Sequence, residues 1–183
     1  MFYLDSNSNK YYIGRAFSYG DIQYSHSAAT HAKFTELGFT QVIIGARPDN
    51  QFYIVSGPDL TGAYTSTARD LNQLKLNFIL REKLASRQTL SASDWLVTRN
   101  QELGTAIPAN YVTYRAAVRS ASDSRCNEIA AATDVADLEA LIKAPAEIED
   151  TNNPGTFITN PDAMTQYPDV IDEESEVATD YGL

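Results

Sequence analysis

Two histidines, one cysteine and a run of carboxylates are the residues of this chain suited to metal, nucleophile or proton chemistry. His26 and His31 stand five positions apart. On a helix that spacing turns the two side chains about 140° from one another, whereas a spacing of four shares a face. No cysteine or acid cluster near them completes a tetrahedral ligand set. Cys126 lies in Ser124-Arg125-Cys126-Asn127-Glu128-Ile129, an ordinary helical stretch in which a thiol serves as a small apolar filler. Asp172-Glu173-Glu174 lacks the alternating ligand spacing of a calcium loop. The chain has no phosphate-binding glycine loop, no His-Glu-x-x-His pair and no Gly-x-Ser-x-Gly elbow. No catalytic residue, cofactor site or metal site is expected. The enzymatic alternative is a small hydrolase acting through Cys126 or a histidine, and Cys126→Ala separates the two: silent in a binding protein, fatal in that enzyme.

Charge narrows the partners further. Residues 1–68 carry four bases and five acids, residues 69–143 ten and nine, and residues 144–183 ten acids and no base. The net charge of −10 is thus a property of the last stretch. A nucleic-acid binder needs a basic stripe to neutralise phosphates, and none stands out. With one cysteine no intrachain disulfide forms. Met1-Phe2-Tyr3-Leu4-Asp5 lacks the basic and apolar regions of a signal peptide, and no apolar run reaches membrane-spanning length. The expectation is a protein made in a cytoplasm, with neither membrane nor nucleic acid as its partner.

The elements around these residues suggest an α+β chain: a small N-terminal mixed sheet unit with one helix (1–65), an all-helical module (66–143) and an extended acidic arm (144–183). Short aromatic and β-branched runs predict strands at Met1–Leu4, Lys10–Ile13, Arg15–Tyr19 and Ile22–Tyr24. Gly20-Asp21 between the last two suits a type II′ hairpin turn. Ser27–Leu37 changes to helical period and stops at Gly38. Phe39–Ile44 and Phe52–Val55 then read as a hairpin across Ala46-Arg47-Pro48-Asp49-Asn50. Apolar residues on both faces of Phe52–Val55 predict a central strand. Eleven tyrosines suit either an interface, where they offer large area at low entropic cost, or a half-buried sheet face.

From Thr67 to Lys143 the period is helical. Leu71, Leu74, Phe78 and Leu84 line one face of a first helix, and Leu76, Ile79 and Leu80 widen it. So wide a stripe implies burial against two neighbours or a partner chain. Ser91-Ala92-Ser93-Asp94 offers a capping box ahead of a second helix, which ends near Gly104. Tyr111, Tyr114, Val118 and Ala121 share a face of a third beyond Pro108. A fourth runs from Asp134 to Lys143, capped by Thr133 or Asp134 and stopped by Pro145. Trp95, the one tryptophan, is expected to pack between two helices, so that Trp95→Ala would cost about 3 kcal/mol or more.

The order Leu80-Arg81, Arg87, Leu90, Ser93-Asp94-Trp95, then Tyr114-Arg115 and Arg119 resembles the helical module of bacteriophage tail assembly chaperones. The likeness spans residues 80–119. It implies a phage-tail setting, other tail or fibre proteins as partners in an oligomeric assembly, and Trp95, Tyr111, Tyr114, Arg115 and Arg119 as candidate contacts. Here the chain continues through Asp123, Cys126 and Ile129 into further helix.

The arm, with four prolines and no sustained period, cannot bury enough apolar surface alone to offset its chain entropy. Phe157, Ile158, Met164, Tyr167, Val170 and Ile171 are its candidate anchors on a partner, whose matching surface should be basic. Deleting residues 145–183 is expected to spare the fold. With the setting that the resemblance implies, the expectation is a non-enzymatic phage tail protein, an adaptor or fibre-associated subunit retained in the virion. The alternative is a transient tail-fibre assembly chaperone that leaves the particle.

Overall fold

The computed structural model describes residues 1–151 and 153–170. They form a mixed α+β chain in two units, Met1–Arg69 and Asp70 onward. The boundary falls between two elements: a strand, Thr65–Ala68, lies before it, where a helical period was expected.

In the first unit β1 (Phe2–Leu4) is the middle strand of an antiparallel sheet. It pairs with β2 (Lys10–Tyr11) on one side and β5 (Thr40–Val42) on the other. The β1–β2 turn is built on Asp5, whose carboxylate accepts bonds from the Asn7 and Asn9 amides at 2.8 and 2.9 Å, from the Asn9 side chain and from the Tyr11 hydroxyl. An aspartate that caps its own turn in this way makes the Asp5–Asn9 loop a defined structure. β3 (Phe17–Tyr19) and β4 (Ile22–Tyr24) form the expected two-residue hairpin. Its turn opens on Gly20 at φ +59°, as a type II′ geometry requires. The expected Ser27–Leu37 helix is broken into a 3-10 turn, His26–Ala28, and α1 (His31–Glu36). The break lies at Ala29-Thr30, because the Thr30 hydroxyl caps α1 by accepting from the Lys33 amide.

Tyr3, Ala29, Phe34 and Phe39 form one buried core cluster of this unit, with Tyr11, Phe17, Tyr19 and Leu37 packed against it. The rings stack or meet edge to face, Tyr11 on Phe39 at 4.6 Å and Tyr19 on Phe39 at 4.8 Å between centroids. Tyr3, Tyr11 and Tyr19 are therefore taken up in this core.

The expected 39–44/52–55 hairpin does not form. β5 pairs with β1, while β6 (Tyr53–Ser56) pairs with β7 (Thr65–Ala68). β6 is thus half of a two-stranded ladder, not a central strand: Phe52 is fully buried beside it, but Ile54 is 58% exposed. Gly62 explains the switch of partner. At φ +84°, it brings its backbone against that of Ile43, where a Cβ would meet the Ile43 oxygen at 2.3 Å. The 57–64 loop is thereby held against the end of β5, and the chain leaves it to pair with β6.

The second unit is built on α2 (Leu71–Ser91), α3 (Asp94–Leu103), α4 (Ala109–Ala131) and α5 (Val135–Lys143). Asp70 caps α2 by accepting from the Gln73 amide, and Asp134 caps α5 by accepting from Asp137. Gly104, at φ +69°, ends α3. α2 and α4 run antiparallel, as their cross-links show: Lys75 to Ala130, Glu82 to Arg125, and Leu90 to Arg115. Several buried residues of these two helices are small, Ser86 on α2 and Ala121 and Ser122 on α4. Leu74, Phe78, Tyr111, Tyr114, Val118 and Ile129 fill the remaining seam.

Residues 144–170 are not a free arm. β8 (Glu147–Glu149) and β9 (Phe157–Thr159) form a hairpin. The chain then lies on α2 and α4 through Thr165 and Tyr167. Ile171 and the residues after it lie outside the described residues.

Candidate protein-binding face of the helical unit

Of the residues that carry the likeness, Leu90, Ser93, Asp94 and Arg115 meet in space, and they do structural work. Arg115 is buried on α4. Its guanidinium donates to the Leu90 carbonyl at 3.0 Å and to Ser93 Oγ at 2.6 Å, and forms an ion pair with Asp94 at 2.8 Å. It thereby ties the carboxyl end of α2, whose carbonyls favour a cation, to the first residue of α3. Ser93 and Asp94 are engaged by Arg115, so the expected capping box does not form and the Ser93 side chain makes no cap bond. Tyr111 and Tyr114 are buried beside this junction. As partner contacts, Arg115, Tyr111 and Tyr114 are therefore corrected to scaffold. Arg119 is exposed.

Trp95 departs from expectation in the opposite sense. The Arg115–Asp94 bond sets the start of α3 so that Leu96 is buried and Trp95 is left 41% exposed. The tryptophan offers surface, not core.

Thr165 and Tyr167 are held by a second arginine. Arg125 grips Glu82 through two nitrogens at 2.5 and 3.1 Å, with both side chains largely buried. It also donates to the Thr165 carbonyl at 2.8 Å and lies 5.2 Å from the Tyr167 ring centre. Glu128 accepts from the Thr165 amide and hydroxyl. The bonds to Glu82 hold the Arg125 pKa above its usual value, and burial raises that of Tyr167. Tyr167 is thus an internal anchor. Phe157 and Ile158, 67% and 45% exposed on the β8–β9 hairpin, and Val170 at 79% remain at the surface.

The face that sequence reasoning did not isolate is the outer side of α2. Leu74 and Phe78 point into the seam, and Leu80 lies two positions on from Phe78, about 200° around the helix. Leu76, Leu80 and Leu84 therefore form a row away from the seam, each more than half exposed. Lys83 and Arg87 flank it, and with Leu80 and Leu84 they line a shallow groove. Glu82 is the one acid on α2, and it is committed to Arg125 on the other side. The row is apolar and basic. Its signal was present as the over-wide stripe, but spacing alone could not say which edge would be buried.

Among the described residues no group of side chains could hold a metal ion, and no helix is long and apolar enough to cross a membrane. His31 Nδ1 is bonded to the Tyr3 hydroxyl. Burial pushes the Cys126 thiol pKa up, away from the lowered value that favours a nucleophilic thiolate. No protein-family model, curated protein or solved structure matches this chain.

Proposed function

We propose that this chain is a non-enzymatic phage tail protein whose helical unit binds a segment of another tail or fibre subunit along the outer face of α2. The observation that carries the binding role is the row of Leu76, Leu80 and Leu84 beside Lys83 and Arg87. Burying three such leucines offers on the order of several kcal/mol, and the cations favour an apolar segment that also carries carboxylates. The phage setting rests on the order of residues from Leu80 to Arg119. Its support is that Ser93, Asp94 and Arg115 meet as one junction, so the motif acts as the frame that presents α2 and Trp95.

Of the two versions, transient chaperone and retained subunit, the first is favoured. Retention drew its strength from an arm with nothing of its own to rest on, and residues 165–167 rest on Arg125, Glu82 and Glu128. An exposed apolar row suits a protein that shields a subunit and then releases it. Mass spectrometry of purified particles tests the choice. The chaperone is expected to be absent from finished virions yet to co-purify with a tail or fibre subunit expressed beside it. Stoichiometric presence in the particle would establish the retained subunit instead.

A further inference from the structure

We infer that Glu82, Arg125 and Glu128 form a peptide-recognition site. In the resting protein the chain's own residues 165–167 fill it. Its ligand is a segment of another protein that carries a threonine or serine and, two residues on, an aromatic. Glu82 lies on the side of α2 away from Leu76, Leu80 and Leu84, so the inference stands apart from the proposed function and from the phage setting.

The bonds read a short segment residue by residue. Glu128 accepts from the Thr165 amide at 3.0 Å and from the Thr165 hydroxyl. Arg125, three positions earlier and on the same face of α4, donates to the Thr165 carbonyl at 2.8 Å. One residue thus has its amide, its carbonyl and its side chain engaged. Two residues on, the Tyr167 ring lies 5.2 Å from the Arg125 guanidinium, and its hydroxyl donates to the Glu82 carbonyl at 3.4 Å. Gln166 between them is exposed, and its side chain bonds back to the Met164 carbonyl. This is the alternation of an extended chain, and Pro168 favours an extended Tyr167 before it.

The frame does not depend on the segment it holds. Residues 164–170 belong to no helix or strand, so no strand ladder holds the segment in place. Arg125 keeps its position through two bonds to Glu82, and both side chains stand on long helices. With the segment gone, Glu128 would lose the Thr165 amide and hydroxyl, and Arg125 the carbonyl and the ring. Half-buried charged groups left in that state favour a replacement over an empty cleft. A segment offering the same amide, hydroxyl, carbonyl and ring re-forms every bond. The resident segment is tethered and competes at a high effective concentration, so the site is autoinhibited. Its apparent affinity for a partner rises as the resident is weakened.

A labelled synthetic peptide of residues 161–170 is the probe, titrated by fluorescence anisotropy against the full chain and against the full chain carrying Thr165→Val and Tyr167→Ala. The peptide should bind the variant roughly tenfold or more tighter than the native chain, whose site is filled. Adding Glu128→Ala to the variant should weaken binding roughly tenfold or more, and so should placing Thr165→Val and Tyr167→Ala in the peptide, since each removes charge-assisted bonds or the stacked ring. Adding Leu80→Glu and Leu84→Glu should leave binding unchanged, which lets this site and the α2 row fail separately. Circular dichroism checks that the helices persist; if the double variant loses them, Tyr167→Ala alone carries the test. Absence of saturable binding to the variant, or equal affinity for variant and native chain, would overturn the inference. Binding indifferent to Glu128→Ala, or abolished by the leucine substitutions, would overturn it equally.

Discussion

Arg115 on α4 joins the end of α2 to the start of α3. It is buried, and its partners are a helix-ending carbonyl, a buried serine and an aspartate. Arg115→Ala should lower the stability of the unit by about 1–3 kcal/mol, the range for leaving buried hydrogen-bonding groups without their partner, measured as a shift of the urea midpoint. Lys at this position, unable to reach three acceptors as a planar fork does, should rescue little. Trp95→Ala, by contrast, should change stability by less than about 1 kcal/mol, as for an exposed position. A shift approaching the 3 kcal/mol expected of a buried ring would mean that Trp95 packs more tightly than its exposure indicates. Asp5 contributes to the acid sensitivity of the first unit. Its bonds to Asn9, to the Tyr11 hydroxyl and to the Asn7 amide hold its pKa below the ordinary value of 3.8. A carboxyl depressed in the folded state contributes stability that is complete above its unfolded value and is lost as pH falls through the folded one. Near-ultraviolet dichroism of the aromatic core should therefore collapse on acidification below that value. Asp5→Asn should start less stable at neutral pH and lose less further on acidification; parallel curves would show that Asp5 makes no such contribution.

At the scale of elements, the helices of the second unit and the β3–β4 hairpin were legible, and the partners of β5 and β6 were not. Helical period, Asp70, Asp134, Gly104 and Pro145 act through neighbours three or four residues away, so the sequence carries them directly. β6 found β7 because Gly62 seats a loop against Ile43, a long-range contact that no local pattern announces. Gly62→Ala should cost about 1–2 kcal/mol for the left-handed backbone alone, and more for the clash with the Ile43 carbonyl. An unchanged midpoint in urea would refute that role. The 161–170 stretch was misjudged for a related reason. Its composition argues against independent order, but Arg125, Glu82 and Glu128 lie far off in sequence and supply the missing partners. Tyr167→Ala should leave the α2–α4 pair folded while speeding hydrogen exchange at the Thr165 amide. Deleting residues 145–183 should now destabilise the helical unit, by exposing the Arg125–Glu82 pair. A truncated protein as stable as the whole would restore the view of a detachable arm.

For the whole molecule, charge and apolar surface tell one story from two directions. Ten acids and no base lie after residue 144, while Lys83 and Arg87 stand beside the leucines of α2. The candidate site was only half legible. Residue order pointed to the stretch from Leu80 to Arg119, and the stripe on α2 was visibly too wide for one seam. Tyr111, Tyr114 and Arg115 drew attention as contacts because a buried tyrosine or arginine looks like an exposed one in a sequence. The central claim is that the α2 row recognises a tail or fibre subunit. It is tested most directly by purifying the full chain and its Leu80→Glu, Leu84→Glu variant from cells assembling the phage, and quantifying tail and fibre subunits bound to each. The account predicts that a tail or fibre subunit accompanies the native chain and is lost from the variant by roughly tenfold or more, as expected when apolar burial at two leucines is replaced by charge. Equal recovery of that subunit with both proteins, or recovery of no tail or fibre subunit with the native chain, would contradict it.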